Sequence, residues 1–539
     1  MLAIVGPAGC ARALPMTRLS RREVLRLAAV LGLLPIAACG DGSTVADGSP
    51  LPEYESPGEL GPEGLFSHSV ASGDPLADRV ILWTKVSPGR DGTVDVFWEM
   101  AETDDFAAPI AAGWFPTDES RDHTVKIDVS GLSPGATYYY RFRALDRASA
   151  TGRTRTTPVG DVERVRMAVA SCSRYSSGYF HAYRGIAARD DLDVVLHLGD
   201  YIYEYQSNGR DGERAHLPDR EIVTLDDYRA RYAQYRSDPD LQEAHRRHPW
   251  VVVWDDHESA NNGWRDGAQN HQPDEGSWVE RRLNAERAYS EWLPIRDQAD
   301  GRIFRAFRFG DLVDLTMLDT RLWGRSASAE DAADLATIRD PERTILGFDQ
   351  EEWLDLQVRD SSAQWFVLGQ QVAMSQTKVI GLPNSEGGGT IFNVDQWDGY
   401  EASRTRFFDS IERHGRDNLV VLTGDLHVSG AGDLSRDPNE PSVYEAGTGR
   451  GTLGVEMLTT SVTSPSTSIP AGVEDIIFVQ NPAVRYVELD SRGYLVLDID
   501  HERARGEWYL LEDVWAQEAV ERLDAAWMTR SGAGYIEEA

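Results

Sequence analysis

Apolar and polar positions follow two different rhythms along this chain, and the change between them divides it. The runs RVILWTKV, TVDVFWEM, HTVKIDV and ATYYYRFRA are rich in β-branched and aromatic residues, and VKIDV alternates at period two. Turn signals such as SPGRDG and LSPGA separate them, which predicts a small antiparallel β-sandwich over residues 65–158. The boundary falls in TRTTPVGD, Thr154 to Asp161. From Val162 onward the pattern becomes VRMAVA, DVVLHL, WVVVW, LVDLTML, AQWFVLG and NLVVLTG, short unbroken apolar runs of strand length. LDDYRARYAQYR and WVERRLNAERAYSEWL, with helical spacing, lie between them. Strands without alternation are buried on both faces, so residues 162–514 predict a layered α/β domain with helices covering its sheets. Residues 515–539 are expected as a C-terminal helical tail.

The first 64 residues have neither rhythm. SRREVLRL sets paired arginines before LAAVLGLLPIAA, an apolar run short of the ~20 residues a membrane span needs. This resembles a twin-arginine export signal over residues 1–39, which is read by the twin-arginine export machinery. Ile36, Ala37, Ala38 and Cys39 resemble a lipobox, which would tether the mature protein through lipidated Cys39; the alternative is ordinary cleavage nearby. Either way the expected location is outside the cytoplasm, extracellular or in the cell envelope. Met16 is an alternative start that would give a shorter leader. Residues 40–64 are acidic and rich in Gly, Pro and Ser, as in a flexible linker.

Charge and cysteine count narrow the functional classes. A formal charge of -34 opposes a nucleic-acid-binding surface, because phosphates need basic partners. Of three cysteines, Cys10 and Cys39 fall in the leader, so Cys172 has no mate for a disulfide. It is either an inert buried thiol or one held by something else.

Ligands of α/β sheets bind beyond the carboxyl ends of strands, so the residues at the exit of each apolar run carry the chemistry. VRMAVA leads into SCSRY, DVVLHL into GDYIYEY, WVVVW into DDHESANN, AQWFVLG into QQ, and NLVVLTG into DLH. Taken singly, Asp200 is a turn or cap residue, Tyr203 and Tyr205 are core aromatics, His427 is a hydrogen-bonded structural histidine and Cys172 is core. Taken jointly, four ends bearing Asp, His, Cys, Tyr or Asn carry the vocabulary of metal ligands. Adjacent Asp255 and Asp256 after a buried strand repel each other unless cations or donors face them.

This order of motifs resembles the alkaline phosphatase D (PhoD) family of the calcineurin-like metallophosphoesterases, most closely in HLGDYIYEY and WDDHESANN. SVASGDP and ILWTKV resemble its N-terminal domain, RYVELDSRGYLVLDID its last strands, and LSPGATYYYRF the turn of fibronectin-type sandwiches. The resemblance spans about Phe66 to Val514 and implies a four-layer αββα catalytic domain behind a fibronectin/Ig-like sandwich. It also implies an exported phosphatase or phosphodiesterase with Fe3+ and Ca2+, acting by attack of a metal-bound oxygen on a phosphate ester. Carried over, Cys172, Asp200, Tyr203 and His427 hold the iron; Asp200, Asn262 and Asp425 hold calcium, with Asn261 as the alternative to Asn262. Asp200 and His257 are the implied catalytic residues, His257 facing the phosphate or else orienting a carboxylate. Arg174, Tyr175 and Asp256 are phosphate-binding candidates, Asp256 alternatively a calcium ligand or a brace. Two rival functions stand beside this: a phospholipase D-like phosphodiesterase, and a non-catalytic surface lipoprotein with structural metals. The loops Gln206 to Arg220 and Gly381 to Thr390 are either substrate walls or plain connections.

Overall fold

A computed structural model describes residues 43–44, 50–466 and 472–539; the leader, with Cys10, the twin arginines and Cys39, lies outside them. The six apolar runs of the second region all become strands. Arg164–Ala170, Val194–His197 and Pro249–Val252 pair in parallel, and Arg164–Ala170 also pairs antiparallel with Arg492–Asp500. A second sheet has the order Arg305–Phe309, Val313–Met317, Trp365–Gly369, Leu419–Thr423, Thr452–Leu458, Ser429–Ser435 and Val484–Glu488. Met167, Val169 and Val195 of the first sheet share one buried core with Leu315, Val367 and Val420 of the second. Helices Leu225–Tyr235 and Trp278–Trp292 contribute Tyr228, Tyr232 and Trp292 to that core, while Phe348–Asp360 and Glu401–His414 pack Leu354, Phe407 and Ile411 against Phe366 and Val421 of the second sheet. This is the four-layer αββα arrangement, and it accounts for the missing alternation: each central strand is covered twice.

The N-terminal region is a sandwich. Strands Pro109–Thr117, Val94–Ala101 and Thr137–Ala144 form one sheet, and Val70–Gly73, Arg79–Lys85 and Thr124–Ser130 lie in the other. Val80, Leu82, Val96, Trp98, Ile127 and Tyr140 fill the space between. Val70–Gly73 then pairs in parallel with Pro249–Val252, so this face runs on as part of the first catalytic sheet. Buried Asp74 takes two hydrogen bonds from Arg305, at 2.6 and 2.9 Å, and Lys126 meets Asp297 at 2.9 Å, so charge pairs join the two regions as well.

Two expectations are corrected. The linker is not free over its described part: Tyr54 stacks on Trp114 with ring centroids 5.7 Å apart, Ser56 donates to Asp146 at 2.7 Å, and the Gly61 N–H donates to Leu145 O. The tail is not helical. Glu521–Arg530 is a strand paired antiparallel with Arg503–Leu511, which would otherwise expose its ladder groups at a sheet edge. Ala525 and Trp527, two apart, pack against the core, so period two prevails over local propensity. No helix among the described residues is long and apolar enough to cross a membrane.

Candidate active site

Parallel strands deliver their carboxyl ends to one edge, and there the chain makes unusual turns. Cys172, Asp200, Asn262, Asp425 and His427 all adopt left-handed backbone conformations, with φ between 50° and 61°. Such conformations are uncommon outside glycine, and several at one edge mean that packing holds side chains at required angles. Gly199, at φ 109°, shows the cost of this proximity: a Cβ there would lie 2.4 Å from Asp255 Cβ and 2.5 Å from its nitrogen. Only glycine lets the Asp200 turn touch the Asp255 turn.

The first cluster joins Cys172, Asp200 and His427, whose ligand atoms lie within 4.8 Å of one another. Tyr203 completes it: its hydroxyl donates to Asp200 Oδ2 at 2.7 Å and lies 3.2 Å from His427 Nε2. His427 Nδ1 is 2.9 Å from the Pro465 carbonyl, which fixes the ring so that Nε2 faces inward. Ser464 Oγ lies 2.7 Å from the Tyr203 hydroxyl and 2.8 Å from Cys172 O. Burial, then the Asp200 charge, pushes the Cys172 thiol and the Tyr203 phenol well above their usual ranges. Both therefore keep their protons unless a cation replaces them, and a thiolate, phenolate, carboxylate and imidazole together form a transition-metal donor set.

The adjoining clusters are acidic. Asp200 with Asp256 and His257, and Asp255 with Asp256 and Asp425, are each close enough to share an ion, and Asp255 Oδ2 is buried without a hydrogen-bond partner. These carboxylate oxygens suit a hard cation. Sequence reading missed the fixed charge among them. Arg321 is fully buried; its Nε donates to Asp255, Nη1 to Asp395 and Nη2 to Asp425 at 2.9 Å, and it lies 4.0 Å from Asp256. Burial still raises the Asp255 and Asp425 carboxyls, whereas for Asp256 burial is outweighed by Arg321, His257 and the Asn262 N–H, and its carboxyl is held low. Arg321 lies just beyond the strand Val313–Met317, and the run LDTR at that strand's exit was the available signal.

Other candidates separate by position. Asn261 spends its amide on Gln269 and its N–H on Glu204, whereas Asn262 donates its N–H to Asp256 Oδ2 at 2.6 Å, which places Asn262 at the acidic cluster. Asp256 belongs to both carboxylate clusters that are close enough to share an ion, and as an anion it would repel a phosphate unless a cation stood between them. Tyr175 packs its ring on Phe180 and Tyr235 beneath the Arg214 guanidinium. Arg174 lies over the Tyr203 and Tyr205 rings, 5.9 Å from each, with Nε buried and unpaired.

His257 Nδ1 is 2.6 Å from buried Glu204 Oε2, and Glu204 Oε1 takes the Asn261 N–H and the Asn270 amide at 2.8 Å. Burial opposes a charge on His257, but Glu204, Asp256 and Asp200 outweigh it and raise the imidazole. Buried Glu258 receives the N–H groups of Asp200, Tyr201 and Asp255 at 3.1, 2.6 and 2.9 Å, tying two strand exits together. Its place in the DDHE run could have revealed it. His197 behaves as expected of a structural histidine, 3.0 Å from the Tyr183 hydroxyl and stacked on Trp250.

Four-layer αββα architecture with these donor clusters at the strand exits defines a calcineurin-like metallophosphoesterase. The model of the PhoD-like phosphatase family matches residues 167–508, and that of the PhoD-like phosphatase N-terminal domain matches residues 56–158. Alkaline phosphatase D of Bacillus subtilis (strain 168) is 37% identical over 454 residues, covering 80% of this chain and 75% of its own. A solved structure of PhoD superposes with a TM-score of 0.80 at 33% identity, covering 90% of this chain and 93% of that one. This chain belongs to the PhoD-like phosphatase family, and it is a hydrolase of phosphoric esters. The non-catalytic binding reading is thereby set aside.

Proposed function

We propose an exported phosphatase/phosphodiesterase with Fe3+ on Cys172, Asp200, Tyr203 and His427, and Ca2+ on Asp200, Asn262 and Asp425 with Asp256 beside them. The observation that carries this is the adjacency of two chemically different donor sets sharing Asp200. Thiolate and phenolate favour a strongly Lewis-acidic transition metal, and clustered carboxylates favour calcium. When bound, the cations supply positive charge to the phosphoryl oxygens and acidify water. Glu204 accepts the His257 Nδ1 proton, leaving Nε2 as the donor toward a phosphoryl or leaving-group oxygen. Arg174, with its unpaired Nε, offers a second donor to the same anion. Buried Arg321 offsets part of the negative charge of Asp255, Asp395 and Asp425.

The twin-arginine-like leader supports export, and the lipobox-like Ile36 to Cys39 supports a lipid anchor. Elemental analysis together with activity on p-nitrophenyl phosphate, its bis ester and phosphatidylcholine tests the reading. Bound iron and calcium, a visible tyrosinate band and chelation-sensitive turnover are expected. Full activity and iron content in both Tyr203→Phe and Cys172→Ser would refute the ligand set. Cys39→Ala should release the protein from membranes, and unchanged membrane association would count against the anchor.

A further inference from the structure

Residues of the hairpin Lys378–Gly381 and Gly389–Ile391 help line a cavity of about 200 Å³ whose lining shares no residue with the catalytic clusters. A water occupies about 30 Å³ of liquid, so the space admits a phosphate-sized anion with a few waters. Four cationic side chains line it, Arg339, Lys378, Arg404 and Arg436, against two acids, Asp398 and Glu401. Three of the four are committed: Arg339 meets Glu401 at 3.1 Å, Arg404 meets Asp398 at 2.6 Å, and Arg436 meets Glu412 at 2.8 Å. Lys378 differs. It is 6% exposed, its backbone is bonded to Asn481, and its ammonium has no hydrogen-bond or ion-pair partner among the described residues.

Of the three glycines at the hairpin turn, Gly388 faces the lining side chains. Gly387, Gly388 and Gly389 all have positive φ, and a Cβ on Gly388 would lie 3.2 Å from Asn384 Oδ1, 3.3 Å from Arg339 Nη2 and 3.6 Å from Lys378 Nζ. One point beside the lining thus stands within about van der Waals reach of two cationic nitrogens and of the Asn384 amide. Asp398 acts on Lys378 through its charge but does not touch the ammonium; it accepts the Thr377 N–H at 2.8 Å and the Arg404 guanidinium. Asp437 is the competing carboxylate; one of its oxygens accepts the Asn384 N–H and the other is buried without a partner. Burial holds the Lys378 amine below its usual range although the charges of Asp398, Asp437 and Glu401 oppose it, and none of the three touches the ammonium.

We propose that this cavity is an oxyanion site, sized and charged for inorganic phosphate, with Lys378 as its donor and separate from the catalytic clusters. Crystals of the wild-type holoenzyme soaked in tungstate should show an anomalous peak within hydrogen-bond distance of Lys378 Nζ, beside any peak at the catalytic edge. Calorimetric titration with inorganic phosphate should resolve two classes of site in the wild type. Lys378→Met should lose the second class, with affinity falling about ten-fold or more, while turnover of p-nitrophenyl phosphate is unchanged; Lys378→Arg should restore it. If Lys378→Met does not fold, Lys378→Gln takes its place in the titration, and the soak does not depend on either. Tungstate confined to the catalytic edge, Lys378 Nζ closed onto Asp437, or a second class that survives Lys378→Met would each overturn the proposal.

Discussion

Removing the charge of Arg321 should unfold the metal-free protein far more readily than the metal-loaded one. Its guanidinium is fully buried and bonded to three aspartates, with a fourth 4.0 Å away. Opposite unit charges at that separation attract by about 4 kcal/mol at an effective dielectric near 20, and breaking a buried pair costs about 3–5 kcal/mol because the survivors stay unpaired. In Arg321→Met the survivors number four. The loss should reach the upper part of that range in chelator, a large share of the ~5–15 kcal/mol that typically separates folded from unfolded protein. Calcium should restore part of it, because an ion binding only the folded carboxylates adds stability by mass action. Arg321→Lys keeps the charge but not the planar fork, and should fall between the two. Urea unfolding of wild type and both variants, with chelator and with calcium, measures each quantity. If Arg321→Met in chelator stays within about 0.5 kcal/mol of wild type, as a surface substitution does, the assignment of Arg321 as resident counter-charge is wrong.

Glu204→Gln should lower turnover about 10- to 100-fold with little change in KM and a shifted pH profile, because it removes the acceptor that orients His257; an unchanged profile would assign Glu204 to packing alone. Gly199→Ala should cost more than about 2 kcal/mol or abolish soluble expression, since the added Cβ meets the Asp255 backbone at a left-handed φ; normal yield and melting would show that the two turns can separate. His197 is held down at about 3 by burial, so the unfolded chain binds a proton that the folded one refuses between pH 6.5 and about 3. Stability should therefore fall as pH drops below 6.5, by about 1.4 kcal/mol per pH unit from this residue. Urea midpoints of His197→Gln against wild type should show that slope removed, and equal slopes would contradict the assignment.

What the chain determines locally was legible in its sequence. Unbroken apolar runs mean strands covered on both faces, and these runs, with the helices between them, became the αββα layers. Acid, thiol, phenol and imidazole at successive strand exits converge because parallel strands end at one edge, so the meeting of Cys172, Asp200, Tyr203, His257, Asp425 and His427 was legible as well. Only tertiary structure decided which neighbours face the site. Asn262 rather than Asn261 lies at the acids, and Tyr175 packs on Phe180 and Tyr235; adjacent residues with similar chemistry differ only in which way their turn sends them. Glu204, Glu258 and Arg321 became visible through partners 53, 58 and 66 residues away in the chain. The tail became a strand because an open sheet edge offered it hydrogen bonds that a short local segment cannot supply by itself.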